Sequence, residues 1–285
     1  MTIFTDTLSR PYRPARDARW AQNSLRLVRR ASAPAARLAA FARDFAVVLG
    51  VMALYFLARG QAPVRIEDSV ALTHLLVSIE RSLYVFWEPW VQDVSIQHHW
   101  SRELANFTYA YLHFPVMGAV GVWLWWRDGE SFRFFRAVLF ASMAIGMAFY
   151  YLFPACPPRL MELHGHELGF TDTVFGGETA VSYAQPSLIL NEYAAIPSFH
   201  FGWIALASAA VWSQCRWWPA QATAVGLTVL MSWAIVASAN HLFIDMAIGG
   251  AVIAVSWQLA ARLRDRRAVA AALELVPAPV FAEAA

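Results

Sequence analysis

Six apolar runs, each near the length that crosses a bilayer, set the first limit on what this chain can fold into: Phe41–Ala58, Leu104–Trp126, Phe134–Phe153, Phe199–Trp212, Pro219–Ala239 and Leu242–Leu263. Crossing the hydrocarbon layer takes roughly 20 apolar residues in a helix. The fourth run reaches that length only with the residues around Pro197 or Gln214. In lipid every backbone N–H and C=O must be satisfied internally, which at this run length means helices. The expected fold is therefore all-α, a polytopic membrane protein built as a six-transmembrane-helix bundle. Composition leads the same way, because 59% hydrophobic and 15% charged residues in a 285-residue chain leave too much apolar surface for a soluble core.

The segments between the runs differ in kind. Residues 1–40 are an Arg-rich tail interrupted by Pro11, Pro14 and Pro34, with a short amphipathic helix expected around Trp20–Arg30. A cleaved signal peptide is not expected, since the first apolar run begins only after Phe41. Within about 66–96, charges such as Glu67, Asp68, Glu80, Arg81, Glu88 and Asp93 interleave with Leu, Val, Trp and Phe, so this stretch is expected to recline at the interface. Residues 154–196 form a long polar connection rich in Pro and Gly turn formers, just before His200, and are read as an active-site loop. The membrane domain is thus 41–263, followed by a second tail, 264–285. No internal repeat is evident.

Orientation follows from the arginines. The face holding both termini, the 127–136 turn and the 213–218 turn carries 17 of the 22, and the other face carries Arg59, Arg65, Arg81, Arg102 and Arg159. The positive-inside rule then places both termini in the cytoplasm and the 154–196 loop outside. Cys156 and Cys215 fall on opposite sides, too far apart for a disulfide. The chain has no Lys, and its basic residues cluster beside membrane segments without a nucleic-acid module, so no nucleic-acid partner is expected.

Two junctions between apolar and polar sequence carry histidines: Ala195-Ile-Pro-Ser-Phe-His-Phe-Gly-Trp203 and Asn240-His-Leu-Phe-Ile-Asp245. One helical hairpin runs between them, so His200 and His241 return to the same membrane face. Asp245 shares a helical face with His241 if the last helix begins at or before His241. A carboxylate beside an imidazole fixes its tautomer and leaves one ring nitrogen competent as base or nucleophile. Pro197 and Ser198 precede a helix whose first N–H groups suit a phosphate, and Arg159 in Cys156-Pro-Pro-Arg-Leu160 adds a planar cationic fork. Two histidines, a carboxylate, an arginine and a helix N-terminus are the parts of a metal-free phosphoryl-transfer site working through a phosphohistidine.

Pro-Ser-x-His, followed by a second His with Asp four residues on, resembles the type 2 phosphatidic acid phosphatase superfamily of lipid phosphatases and phosphotransferases. The stretch Tyr109-x-x-x-His113-Phe-Pro115 and the Pro-Pro before Arg159 look closer to its inositol phosphorylceramide synthase branch and that branch's bacterial relatives, over about Ile66 to Gly250. The resemblance implies that His241 attacks phosphorus, Asp245 orients it, and His200 protonates the leaving alkoxide and then activates water or an acceptor alcohol. It implies phosphate binding by Arg159, with Ser198 and Asn240 as neutral donors, and Tyr109 and His113 in the substrate cavity. The chain departs from the family's pattern in lacking its first-motif Lys and in carrying Ile235 where the third motif has Arg.

The expected protein is an integral membrane enzyme, in a bacterial plasma membrane, acting outside the cytoplasm on a lipid phosphate or phospholipid without metal or cofactor. Whether water or an acceptor alcohol takes the phosphoryl group stays open at this point. A non-catalytic flippase or scaffold and a metal-dependent hydrolase, with His98-His99 or His164-Gly-His166 as ligands, are the rival readings.

Overall fold

The computed structural model describes residues 34–174, 181 and 186–274. The N-terminal helix expected around Trp20–Arg30, parts of the 154–196 loop and the end of the second tail lie outside the described residues. Among those described the fold is all-α, with nine α-helices, two single-turn 3-10 helices and no strand. Helix α1 is Pro34–Gly60, α2 Ile66–Ser82, α3 Glu88–Ile96, α4 His99–Tyr111, α5 His113–Arg127 and α6 Gly129–Leu152. After the 3-10 turns Pro158–Leu160 and Glu162–His164 come α7 Phe199–Gln214, α8 Trp218–Ala237 and α9 Phe243–Glu274.

Ala35–Gly60, Gly129–Leu152, Trp218–Ala237 and Phe243–Ala268 are long and apolar enough to cross a bilayer, and the chain is an integral membrane protein. Helices α5 and α7, at 15 and 16 residues, fall short of a full span. The run expected as one span, Leu104–Trp126, is two helices that meet at Leu112. Pro115 stands third in α5, where a backbone N–H has no intrahelical acceptor to lose. Helix α1 starts at Pro34 rather than Phe41, since Pro is well tolerated in a helix's first turn, and α9 runs on into the stretch expected as tail. The expected 127–136 turn shrinks to Asp128, which caps α6 by accepting from the N–H groups of Glu130 and Ser131 at 3.2 and 3.1 Å.

Two compact units divide the chain within α1, one ending at Ala53 and the other beginning at Leu54. The described part of the first is the body of α1, whose Leu38 and Leu49 are about two-thirds exposed, as lipid-facing side chains are. The second unit holds everything else. In it α8 packs on α7, α4 and α3, and α9 packs on α6 and α7. A core of Ile204, Met231, Ile235 and Val236 fills the space beside Tyr109. Lipid offers little hydrophobic incentive for helices to associate, so close packing and polar contacts hold them. Ser208 Oγ donates to Ala224 O at 2.6 Å across the α7–α8 seam, and Trp203 Nε1 donates to Ser142 Oγ at 3.3 Å. A Cβ on Gly249 would run into the Ser198 backbone, so only glycine lets α9 approach the start of α7 this closely.

Helices α2 to α4 form a shelf beside this bundle. Helix α2 buries Ser69, Val70, Thr73, Leu76, Val77 and Glu80, a stripe of helical period that ends in a carboxyl. The shelf grips the loop before α7: Gln92 pairs with Thr171 through both amide atoms (2.8 and 2.9 Å), and Asn106 Nδ2 donates to Thr173 O at 2.7 Å.

Candidate active site

His241 sits in the short link between α8 and α9. Helix α8 ends with Ala239 N–H donating to Val236 O (2.8 Å) and Asn240 N–H to Ile235 O (3.0 Å), the paired bonds of a Schellman turn. The turn puts Ala239 at φ 52°, a left-handed conformation that costs a non-glycine residue about 1–2 kcal/mol. In return it sets the direction in which Asn240 and His241 leave the helix. The expected helical register between His241 and Asp245 does not form, because α9 opens only at Phe243. Asp245 meets the histidine by another route. As the third residue of α9 it turns back so that Oδ2 accepts from Leu242 N–H at 2.9 Å, half of a capping box, and the same oxygen stands 3.4 Å from His241 Nδ1. That is longer than a tight charge-assisted hydrogen bond, and it leaves Nε2 as the ring nitrogen turned away from the carboxylate.

Two further carboxyls finish this helix start. Glu88 Oε1 accepts from Phe243 N–H at 2.8 Å and Glu80 Oε1 from Ile244 N–H at 2.7 Å. Both glutamates are buried, at 0% and 1% exposure. Burial pushes the Glu80 carboxyl up to about 9, and the adjoining Glu88 adds to the rise. The Oε2 atoms of both have no hydrogen-bond partner, and a proton on Glu80 avoids a pair of buried negative charges. Neither residue was expected at the site, since charges in 66–96 read as interfacial. The signal was present in the spacing: Glu80 continues the buried stripe of Val70, Thr73 and Val77.

His200 lies in the first turn of α7, packed between rings. Tyr109 stacks on it with centroids 4.4 Å apart and 28° between planes, and His113 meets it edge-on at 4.4 Å. The centroids of His200 and His241 are 5.7 Å apart. His200 Nε2 and His113 Nδ1 are buried without a hydrogen-bond partner.

Arg159 reaches the same place from the loop, and its side chain is well supported. Its N–H donates to Ala239 O (2.9 Å), Nε to Asn240 Oδ1 (2.9 Å) and one terminal nitrogen to Asp172 Oδ2 (3.0 Å), while the other stands 3.8 Å from Glu192 Oε1. Asn240 gives both its amide hydrogens to Ser238, at 3.1 Å to the carbonyl and 2.9 Å to the hydroxyl. Its amide therefore orients Arg159 instead of facing the cavity as a donor. Ser198 holds the N-cap position of α7, yet its Oγ is buried and caps nothing, and its N–H donates to Asp245 O at 3.1 Å. The segment carrying Arg159 is fixed at its root: Ala155 N–H donates to Tyr193 O (2.9 Å), and Thr73 Oγ1 to Cys156 O (2.8 Å).

A cavity of about 250 Å³ joins these groups, with His200, His241, Arg159, Asn240, Tyr109 and His113 all on its wall. The aromatic rings of Phe114, Phe199 and Trp203 line it as well, together with the charged side chains of Arg59 and Glu192. Ser198 is not on the wall. Of the histidines considered as metal ligands, His164 places Nε2 3.0 Å from Tyr193 Oη, His166 packs edge-on against His74, and His98 stacks on Trp100.

Polar and titratable groups gathered around a cavity at the ends of helices, with aromatic rings beside them, have the composition of a ligand-binding site. Residues 74–259 match the PAP2 superfamily, and the chain belongs to that family. Among curated proteins it is similar to a phosphoinositol dihydroceramide synthase of Bacteroides thetaiotaomicron, with 28% identity over 202 residues, 64% of this chain and 65% of that relative. The chain thus matches somewhat less than two thirds of the relative's length. No solved structure matches it.

Proposed function

We propose that the protein is a lipid phosphatase or phosphotransferase that moves the phosphoryl group of a lipid phosphate through a phosphohistidine at His241, without a metal. The observation that carries this is the placement of His241 3.4 Å from a buried Asp245, facing His200 across 5.7 Å in one cavity with Arg159. With Nδ1 toward the carboxylate, Nε2 of His241 attacks phosphorus. The P–O bond to the leaving group breaks, and His200 gives that oxygen its proton. His200 then takes a proton from water or an acceptor alcohol, whose oxygen attacks phosphorus as the P–N bond breaks and His241 is restored. Arg159 and the first N–H groups of α7 stabilise charge on the transferring oxygens.

The relative is named a synthase, which favours an acceptor alcohol over water as the second nucleophile. In the membrane we assign six crossings, adding α5 and α7 to the four long helices, with domain limits close to 41–263. The arginine distribution supports cytoplasmic termini and a site on the outer face of a bacterial plasma membrane.

The test is turnover of a panel of labelled lipid phosphates and phosphatidylinositol by detergent-purified protein in EDTA, with and without acceptor alcohols, beside His241→Ala. Inorganic phosphate from wild type alone means hydrolysis, and a new phosphodiester that needs the acceptor means transfer. Activity that survives in His241→Ala overturns the phosphohistidine. Loss of activity in EDTA that returns with added metal supports the metal-dependent rival, and no turnover of any lipid supports the scaffold or flippase.

A further inference from the structure

We propose that Arg59, at the end of α1, is a second phosphate-binding cation of this site. The inference rests on the phosphoryl-transfer reading above and names a residue that the family motifs do not reach. It begins from the charge around Arg159. That guanidinium is paired with Asp172 and approached by Glu192, and Asp245 stands behind His241. One positive charge against three formal negatives repels an incoming phosphate. The chain has no Lys at all, and Ile235 replaces the family's third-motif Arg, so the motifs supply no other cation.

Arg59 meets the need by position. It lines the cavity that holds His200, His241 and Arg159. Its guanidinium stands 5.6 Å from the centre of the Phe56 ring, and among the described residues no carboxylate lies within ion-pair distance of it. Its Nε is buried with no hydrogen-bond acceptor. A guanidinium has five N–H donors and cannot shed its charge, so a buried nitrogen left without an acceptor is costly until an anion arrives. His113, 4% exposed, presents a second orphaned nitrogen, Nδ1, on the same wall. The carrier of Arg59 is held in place, because its backbone C=O accepts from Asn191 Nδ2 at 3.3 Å and from Ala62 N–H at 3.2 Å. A phosphate between the histidines would then lie between two arginines, one delivered by the loop and one by the first helix. In sequence Arg59 reads only as a flanking charge at the end of an apolar run.

The experiment measures binding of inorganic phosphate and orthovanadate to the full chain in detergent, together with KM and kcat on whichever lipid the wild type turns over. The proteins are wild type, Arg59→Gln, Arg59→Lys, Arg59→Met, Arg159→Gln and, as a control at the other end of α5 from the cavity residue His113, Arg127→Gln. Arg59→Gln is expected to weaken phosphate and vanadate binding by about tenfold or more, equivalent to about 1.4 kcal/mol, and to raise KM. Arg59→Lys should recover part of the loss, and Arg127→Gln none of the effect. If Arg59→Gln binds both probes as wild type does while Arg159→Gln loses them, Arg59 is not a ligand and the phosphoryl-transfer reading stands. If wild type binds neither probe and turns over no lipid, that reading falls and Arg59 with it. Should Arg59→Gln not fold, Arg59→Met decides: it keeps the apolar stem but removes the charge, and phosphate and vanadate binding equal to wild type overturns the proposal.

Discussion

Replacing Glu80 by Gln should stabilise the protein progressively as pH rises. Glu80 is buried against Glu88, caps Ile244 N–H, and is held up to about 9. A carboxyl raised in the folded state binds a proton there that the unfolded chain releases near pH 4.3. Its contribution is therefore fully present below that pH, is lost steadily as pH climbs toward about 9, and changes no further above it. The slope is at most about 1.4 kcal/mol per pH unit, so wild type should lose up to about 2.7 kcal/mol between pH 6 and pH 8 from this group. Glutamine keeps the carbonyl oxygen that Ile244 N–H needs and removes the titration. The gap in stability between Glu80→Gln and wild type should then widen by up to that amount over the same interval, about 5–10 °C in melting temperature at roughly 2–4 °C per kcal/mol.

The assay is tryptophan-fluorescence melting of the full chain in detergent at pH 6, 7 and 8. Taking the difference between two proteins cancels every titration they share. Glu80→Ala is the contrasting variant: it strands the Ile244 N–H, which costs about 1–3 kcal/mol relative to Glu80→Gln at all three pH values. Parallel pH dependence of wild type and Glu80→Gln would refute the raised Glu80 carboxyl. An Ala variant as stable as Glu80→Gln would refute the cap.

Asp245→Asn keeps an oxygen for Leu242 N–H but loses the charge facing His241 Nδ1, so turnover should fall by on the order of 10³-fold or more with the melting temperature little changed; equal loss of both would make Asp245 merely structural. Gly249→Ala forces α9 away from the Ser198 backbone and should cost about 1–3 kcal/mol in a melting experiment, along with activity, since Ser198 leads into His200. Cys156 is 1% exposed and burial pushes its thiol up to about 12, so in native protein at pH 8 maleimide should label Cys215 and leave Cys156 unmodified until the chain is denatured.

The sequence made some of this legible because the relevant physics is local. Apolar runs of bilayer length announce α6, α8 and α9, and the histidines stand out because each lies where an apolar run meets polar sequence. The break at Leu112 escaped because Leu104–Trp126 is apolar on average, while α4 within it carries a buried polar face of Ser101, Asn106 and Thr108 that packs on α8 and the loop. The route by which Asp245 reaches His241 escaped for a related reason. A spacing of four implies a shared helical face only inside a helix, and the Schellman turn at Ala239 delays α9 until Phe243. Glu80, Glu88, Asp172 and Arg59 come from elements distant in the chain, and nothing in their neighbours' identities says which N–H, guanidinium or cavity they will face.

Those distant acids explain why the two helix starts at the site do different work under the proposed reading. The first three N–H groups at the head of α9 are occupied: Leu242 by Asp245, Phe243 by Glu88 and Ile244 by Glu80. Those N–H groups are not open to a phosphate, and under the proposed reading the Asp245 carboxylate beside Nδ1 favours the cationic imidazole that would form when His241 takes up a phosphoryl group. The head of α7 is different, since Ser198 Oγ caps none of its N–H groups and the helix opens onto the cavity at Phe199 and His200. A transferring phosphoryl group would therefore be held from the α7 side, with Arg159 and Arg59 as its counter-charges, and attacked from the α9 side.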